Sequence, residues 1–132
     1  MVTLRQVTPA DYQFLYLLLQ EKTPEQNISH KEMPTYEAHV AFNDAIPYAE
    51  DYIILQDEER VGRIYFTRNR EVGIHILSTA QGKGIGGTAL RSLMVKVKAP
   101  VYANISPLNT KSQEFFKGEG FDLVQLTYKW GA

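Results

Sequence analysis

Four glycines and a lysine stand together in Ser78-Thr79-Ala80-Gln81-Gly82-Lys83-Gly84-Ile85-Gly86-Gly87, between an apolar, strand-like run and an amphipathic, helix-like one. Glycine lets the backbone turn through conformations other residues avoid and lets a ligand approach without a Cβ in the way. The first N–H groups of the helix that follows have no intrahelical partner, and the helix dipole makes that end positive. The stretch therefore predicts an anion cradle suited to a phosphate or pyrophosphate. Gly82 to Gly87 formally fits G-x-G-x-x-G. A dinucleotide fingerprint, however, follows the first strand of a parallel βαβ unit and is followed about 20 residues on by an acidic ribose ligand. Here that region reads Val101-Tyr102-Ala103-Asn104-Ile105. A nucleotide P-loop needs Ser or Thr after Gly-Lys, and Lys83 is followed by Gly84. The plain alternative is a tight turn opening a glycine-rich helix.

The periodicities on either side set the fold class. Residues 2–7 alternate like a half-buried strand, and Thr8-Pro9-Ala10-Asp11 supplies an N-cap, a proline in the first turn and an acid, predicting a helix to about Glu21. Residues 23–34 read as a loop. Residues 35–45 return to helical spacing, with Ala38, Ala41, Phe42 and Ala45 on one face. Strand-like runs at 51–56, 60–67 and 71–77, separated by short polar links, predict an antiparallel meander. From Gly84 onward Ile85, Ala89, Leu93 and Val97 form one helical stripe that Leu90 and Met94 widen. A fifth strand at 101–105 follows. A helix then opens at Asn109 or Thr110 and is stopped by Gly118 and Gly120, and a strand pair at 121–126 and 127–130 closes the chain. The expectation is an α+β domain over residues 1–132, a mixed, mostly antiparallel sheet flanked by helices. A chain of 132 residues with 44% hydrophobic content suits one core. A net charge of -1 carries no nucleic-acid footprint. The absence of cysteine excludes disulfides, thiolate zinc sites and a cysteine nucleophile. With no leader-like start and no membrane-length apolar run, no membrane association is expected and the cytoplasm is the default location.

Gln81-x-x-Gly84-x-Gly86 resembles the Q/R-x-x-G-x-G/A signature with which the GNAT superfamily of N-acyltransferases binds the pyrophosphate of acetyl-CoA. The resemblance runs almost end to end. Glu71-Val72-Gly73-Ile74-His75-Ile76 is similar to that family's fourth strand, and Asn109-x-x-Ser112-x-x-Phe115-Phe116-x-x-x-Gly120-Phe121 to its N-x-x-S/A-x-x-F/Y-Y-x-x-x-G-F segment. The resemblance implies that acetyl-CoA is the acetyl donor. The backbone amides of Gln81, Gly82, Lys83, Gly84, Ile85, Gly86 and Gly87 would hold the pyrophosphate. Ile74 and Ile76 would bond the pantetheine arm through their main chain, a strand addition by a ligand. Asn109 and Ser112 would contact the cofactor, and a plain helix cap is the other reading of Asn109.

Acetyl transfer to an amine needs a base to free the amine's lone pair and a donor to steady the developing oxyanion. The family commonly draws its base from the fourth strand, where this chain has Glu71 and His75, four apart and so on one face of an unbroken strand. His75 has the ordinary pKa range for such a base. The structural alternatives are a hydrogen-bonded core histidine and a solvated strand-start carboxylate. Phe116 stands where the family usually has the tyrosine that protonates the departing thiolate. Water, Tyr102 or Tyr128 could substitute, and a non-catalytic acyl-CoA-binding module is the alternative function. The region around the first two helices, with Asn27, His30, Glu32, Tyr36, Glu37, His39, Asp44 and Tyr48, suggests a polar amine acceptor, although most of these residues read individually as exposed surface. His30 and His39 lack a third ligand at a recognised spacing, so no metal is expected. The resemblance is also compatible with a homodimer.

Overall fold

A computed structural model describes residues 1–22 and 32–132. The alternating runs form strands β1 (Val2–Gln6), β2 (Glu50–Gln56), β3 (Glu59–Phe66) and β4 (Val72–Ile76), joined antiparallel in the order β1-β2-β3-β4. Their pairing is closely specified: Leu4 lies opposite Ile54, Tyr52 opposite Ile64 and Ile64 opposite Ile74. Because side chains alternate across a strand, neighbours on β2 serve different cores. Tyr52 and Ile54 join Ile64, Phe66 and Val72 on one face, while Ile53 joins Tyr12, Phe14, Leu15 and Leu18 on the other.

Each face is covered by helices. Helix α1 (Tyr12–Gln20) lays Phe14, Leu15 and Leu18 over Ile53 and is flanked by α2 (Tyr36–Asp44). The opposite face takes α3 (Ile85–Val97), whose Ile85, Ala89, Leu90 and Leu93 are buried as the sequence stripe predicts. Phe116 of α4 (Thr110–Gly118) enters the same core. Caps agree with the sequence: Thr35 Oγ1 accepts from the Ala38 amide at 3.1 Å, and Asn109 Oδ1 from the Ser112 amide at 3.1 Å.

Three expectations are corrected. The buried side of α2 is His39 and Asn43, with Ala38, Ala41, Phe42 and Ala45 exposed. Asn43 turns inward because it supplies an acceptor to the buried Arg63 guanidinium, Oδ1 to Nη2 at 2.7 Å. The fifth strand shrinks to a single parallel bridge between Glu71 and Tyr102. The closing strand pair does not form: residues 121–132 carry no strand pairing. Leu126-Thr127, at the proposed bend, has none of the glycine, asparagine or aspartate chemistry that a two-residue hairpin turn requires.

One buried acid locks the start of the chain to the sheet. Asp11 is 2% exposed and accepts from Arg5 (Nη1 3.0 Å, Nη2 2.9 Å), the Thr8 amide (2.9 Å) and Arg60 Nη1 (3.2 Å). Burial alone would raise its pKa, but these donors overcome it and hold the carboxyl at about 2. A folded-state pKa below the unfolded value of about 3.9 stabilises the fold above pH ~4, and that contribution is lost as pH falls toward 2. Asp11→Asn should lower unfolding free energy at pH 7 by roughly 1–3 kcal/mol in urea titrations, and should flatten the acid limb between pH 4 and 2.

Candidate active site

The glycine run divides its labour. A 3₁₀ turn at Ser78–Ala80 leads into Gly82 and Gly84, both at φ +78°, a left-handed conformation that favours glycine. A Cβ at either would meet nothing within 4 Å, so the loop lies open. The first helical bond runs from the Thr88 amide to the Gly84 carbonyl at 3.2 Å, which leaves the amides of Ile85, Gly86 and Gly87 without helical acceptors. Gly87 is small for a different reason: a Cβ there would lie 2.9 Å from Glu119 Oε2, which with Oε1 holds Arg91, whereas one on Gly86 would make only ordinary contact with the Phe115 ring at 3.4 Å.

Gln81 acts here as a brace. Its Nε2 donates to the Ile76 carbonyl at 2.9 Å, and its Oε1 accepts from Lys111 Nζ at 2.7 Å, tying β4, the loop and α4 together. Sequence reasoning missed Lys111, which adds a second exposed cation beside Lys83 at this end of the molecule. A signal was available: a lysine in the first turn of a helix opposes the helix dipole, and such a placement asks what anion offsets it. Asn109 is the cap of α4, its side chain engaged with the Ser112 amide.

Strand β4 has one paired edge and one open one. The Leu77 amide donates to Val61 O (2.8 Å) on the β3 side, whereas the Val72 amide donates to Tyr102 O (2.7 Å) on the far side. Alternation therefore turns the N–H and C=O groups of Ile74 and Ile76 away from β3. Among the described residues Tyr102 pairs only with Arg70, just before β4, and with Val72, and the edge beyond it is free apart from the Ile76 carbonyl that Gln81 occupies.

His75 projects to the opposite face from Ile74 and Ile76. Its imidazole is largely buried, Nε2 is 3.8 Å from Glu21 Oε1, and Nδ1 has no hydrogen-bond partner among the described residues. Burial, then the charge of Lys22, push its pKa down to about 4 against a smaller opposing effect of Glu21. The near-neutral value expected from sequence is thus replaced by that of a neutral, weakly basic ring. Glu21 also accepts from Ser78, amide at 3.0 Å and hydroxyl at 3.4 Å, so the end of α1 is fastened to the turn before the glycine loop. Glu71 is held elsewhere: Asn104 Nδ2 donates to its Oε2 at 2.7 Å. Four residues of strand separate the two by about 13 Å, so they share a face without forming one acid–base pair.

Between them lies a polar cluster that the sequence did not announce. Arg63, opposite His75, grips Asp51 with Nε and Nη2 at 2.8 and 2.7 Å, and its guanidinium lies 5.1 Å from the Tyr48 ring centre. Tyr48 stacks on Tyr65 at 3.8 Å, and Tyr65 lies across Gly73 so closely that a Cβ there would fall 2.1 Å from its ring. Burial raises both phenol pKa values, so both keep their protons at neutral pH. A cavity of about 330 Å³ adjoins this cluster, lined by Tyr12, Asn43, Asp44, Tyr48 and Asp51 among others.

The remaining sequence candidates separate. His39 is buried, Nε2–H donating to the Tyr12 carbonyl at 2.9 Å, which makes it structural. Tyr36 packs edge-on against Tyr16. Asn27 and His30 lie outside the described residues. Phe116 is buried between Phe115 and Phe121 with ring centres at 5.0 and 5.1 Å. Tyr128 is exposed on the terminal segment, while Tyr102 stays on the β4 edge. Among the described residues no three His, Asp or Glu side chains gather as a metal site, and no helix is long and apolar enough to cross a membrane.

The sequence profile of the Acetyltransferase (GNAT) domain matches residues 1–122. No curated protein matches the chain at a significant level. Among solved structures, an acetyltransferase from Thermus thermophilus superposes with a TM-score of 0.76 at 23% identity, covering 95% of this chain and 89% of that one. A Salmonella typhimurium protein solved with its cofactor acetyl-CoA gives 0.76 at 18% identity over 100% of this chain and 88% of its own. Spermidine N-acetyltransferase from Vibrio cholerae gives 0.72 at 19% identity over 92% and 79%. At these identities the likeness is one of fold.

The environment of His75 has a measurable signature. With a folded-state pKa near 4 and an unfolded value of about 6.5, the unfolded chain binds more protons in that window, so the contribution of His75 to stability is full above pH ~6.5 and is lost as pH falls toward 4. An NMR titration of the His75 ring should show a midpoint near 4. Stability lost by the wild type between pH 6.5 and 4 should be smaller in His75→Gln.

Proposed function

Because the chain belongs to the GNAT acetyltransferase domain family, acyltransferases whose donor is acetyl-CoA, we propose that residues 1–132 act as one N-acetyltransferase domain that moves an acetyl group directly to a primary amine of a small molecule, an amino sugar or a protein. The observation that carries this reading is the pairing of two features at one end of the sheet: the open amides of the 82–87 loop and the unpaired main-chain edge of Ile74 and Ile76. The residues present suit coenzyme A. A loop with two left-handed glycines and no Cβ in the way, with Lys83 and Lys111 nearby, fits a pyrophosphate; an edge offering peptide groups fits the amides of a pantetheine arm.

When bound, acetyl-CoA supplies the carbonyl that the amine attacks. The chain's own residues do the rest. The amides of Gly82, Lys83, Gly84, Ile85, Gly86 and Gly87 bind phosphate oxygens, while Gln81, whose own amide donates to the Ser78 carbonyl at 3.4 Å, braces the loop. Ile74 and Ile76 orient the arm, and Asn109 and Ser112 border it from the start of α4. Glu71, half-buried on the acceptor face and bonded to Asn104 through only one oxygen, has its second oxygen open to take the amine's proton. His75, neutral at pH 7, offers a lone pair without competing for the proton, and its catalytic part is to orient the amine. With Phe116 in the core, the departing thiolate takes its proton from water or from Tyr102, the tyrosine that the sheet edge retains.

The acceptor is polar. Solved neighbours include enzymes named for spermidine and for aminoglycosides, both polyamines in the chemical sense, and the cavity lined by Asp44 and Asp51 lies on the same face as Glu71 and His75.

Two measurements test this reading. In calorimetry Gly84→Asp should abolish coenzyme A binding with the fold intact, since aspartate tolerates the left-handed conformation and the side chain enters open space. The neutral Gly84→Asn should bind within about tenfold of wild type, because the loss comes from charge. Thiol release from acetyl-CoA should appear with some member of a panel of polyamines, amino sugars, amino acids and peptide N-termini, and Glu71→Gln should reduce kcat by about 10²-fold while leaving the KM for acetyl-CoA unchanged. Tight cofactor binding with no turnover on any amine would instead indicate a non-catalytic acyl-CoA-binding module.

A further inference from the structure

Acyl transfer needs a hydrogen-bond donor for the oxygen on which charge develops, and the groups placed so far leave that part unfilled. Where such a donor must stand follows from β4. Under the proposed function the pantetheine arm comes from the glycine loop and runs past Ile76 and then Ile74 along the open edge. That edge closes at Val72, whose amide donates to the Tyr102 carbonyl at 2.7 Å. The acyl end of the arm would therefore leave the edge beside Gly73. The main chain of Gly73 offers it nothing, because alternation turns its N–H and C=O toward Tyr65, its partner across the β3–β4 ladder.

Over Gly73 lies the Tyr65 phenol. A Cβ on Gly73 would collide with Tyr65 Cζ and Oη, so it is the hydroxyl end of the ring that covers the backbone there. Glu71 and His75 flank Gly73 on the same face, each two residues or about 7 Å away along the strand, which places the hydroxyl between these two residues. The ring has little freedom. Tyr48 stacks on it at 3.8 Å with an interplanar angle of 13°, Phe42 packs edge-on against Tyr48 at 5.9 Å, and the Arg63 guanidinium lies 5.9 Å from the Tyr65 ring centre. Burial raises the phenol pKa, which keeps the proton on the oxygen at neutral pH. Arg63, a stronger donor on this face, is committed to Asp51 and Asn43. Packing accounts for a ring above a strand glycine but not for its hydroxyl, since phenylalanine would cover Gly73 equally well.

We propose, in an inference that rests on the N-acetyltransferase reading, that Tyr65 is a further catalytic residue whose phenol O–H donates a hydrogen bond to the acetyl carbonyl oxygen as the amine adds. The amine nitrogen bonds to the carbonyl carbon, its proton passes to Glu71, and an electron pair moves onto the oxygen, where Tyr65 steadies the charge while keeping its own proton. The pair returns as the C–S bond breaks, and the thiolate leaves to take its proton from water or Tyr102. Binding measurements separate this role from turnover. The probe is a ketone analogue of acetyl-CoA with a methylene in place of the thioester sulfur and a trifluoromethyl group in place of the methyl, which hydrates to a tetrahedral carbon bearing hydroxyl groups. Tyr65→Phe keeps the ring over Gly73 and should keep the wild-type circular dichroism. In calorimetry it should bind the analogue about tenfold more weakly and coenzyme A equally well. With the amine of the panel that is turned over fastest, kcat should fall roughly 10²-fold at unchanged KM for acetyl-CoA. Equal losses for the analogue and coenzyme A, no loss for either, or an unchanged kcat would each overturn the role of Tyr65 and leave the acetyltransferase reading standing. A wild-type protein that binds neither ligand would overturn both.

Discussion

The hydrogen bond from the Val72 amide to the Tyr102 carbonyl marks where the outer edge of β4 stops being paired. Up to that point β4 is an interior strand with β3 on one side and residue 102 on the other. Past it, the N–H and C=O groups of Ile74 and Ile76 point outward with only the Ile76 carbonyl engaged, by Gln81, and the chain turns directly into the glycine loop and α3. An unsatisfied main-chain edge and an unsatisfied helix start thus adjoin, two sets of backbone donors that water or a ligand must meet. Gln81 and Lys111 hold this arrangement in place: the first braces the strand to α4, and the second adds positive charge.

The other face of the sheet is governed by Arg63. A guanidinium taken that far out of water needs several acceptors, and the fold supplies Asp51, Asn43 and the faces of Tyr48 and Tyr65. This demand explains why α2 buries a histidine and an asparagine, and why Gly73 has no side chain beneath Tyr65. It also separates Glu71 and His75 into different surroundings, one at a half-open edge with Asn104, the other beneath the end of α1 with Glu21 and Lys22. Two titratable groups on one strand face thereby acquire unlike surroundings.

Much of this was legible in the sequence. The meander, the α3 stripe and the Asn109 cap follow from local periodicity and capping chemistry, which need no knowledge of distant residues. The misreadings have one cause. Helix α2 has an alanine-rich face and a polar face, and hydrophobicity alone chooses the first; the structure chooses the second because Arg63, twenty residues away, waits beneath it. The strands expected at 101–105 and 121–130 have correct composition, but a strand exists only where a partner lies alongside, and residues 101–105 find one at Tyr102 alone.

By itself the sequence determined the first strand, the antiparallel meander, the stripe of α3 and the glycine loop, because alternation, helical period and the special backbone freedom of glycine are local properties. Family membership, too, rests on motifs whose residues lie close along the chain. Only the tertiary structure decided the depressed pKa of His75, the bracing role of Gln81, the entry of Lys111 and the separate keeping of Glu71. Each of these depends on desolvation or on a contact between residues far apart in the chain, and such quantities are set by the packed environment.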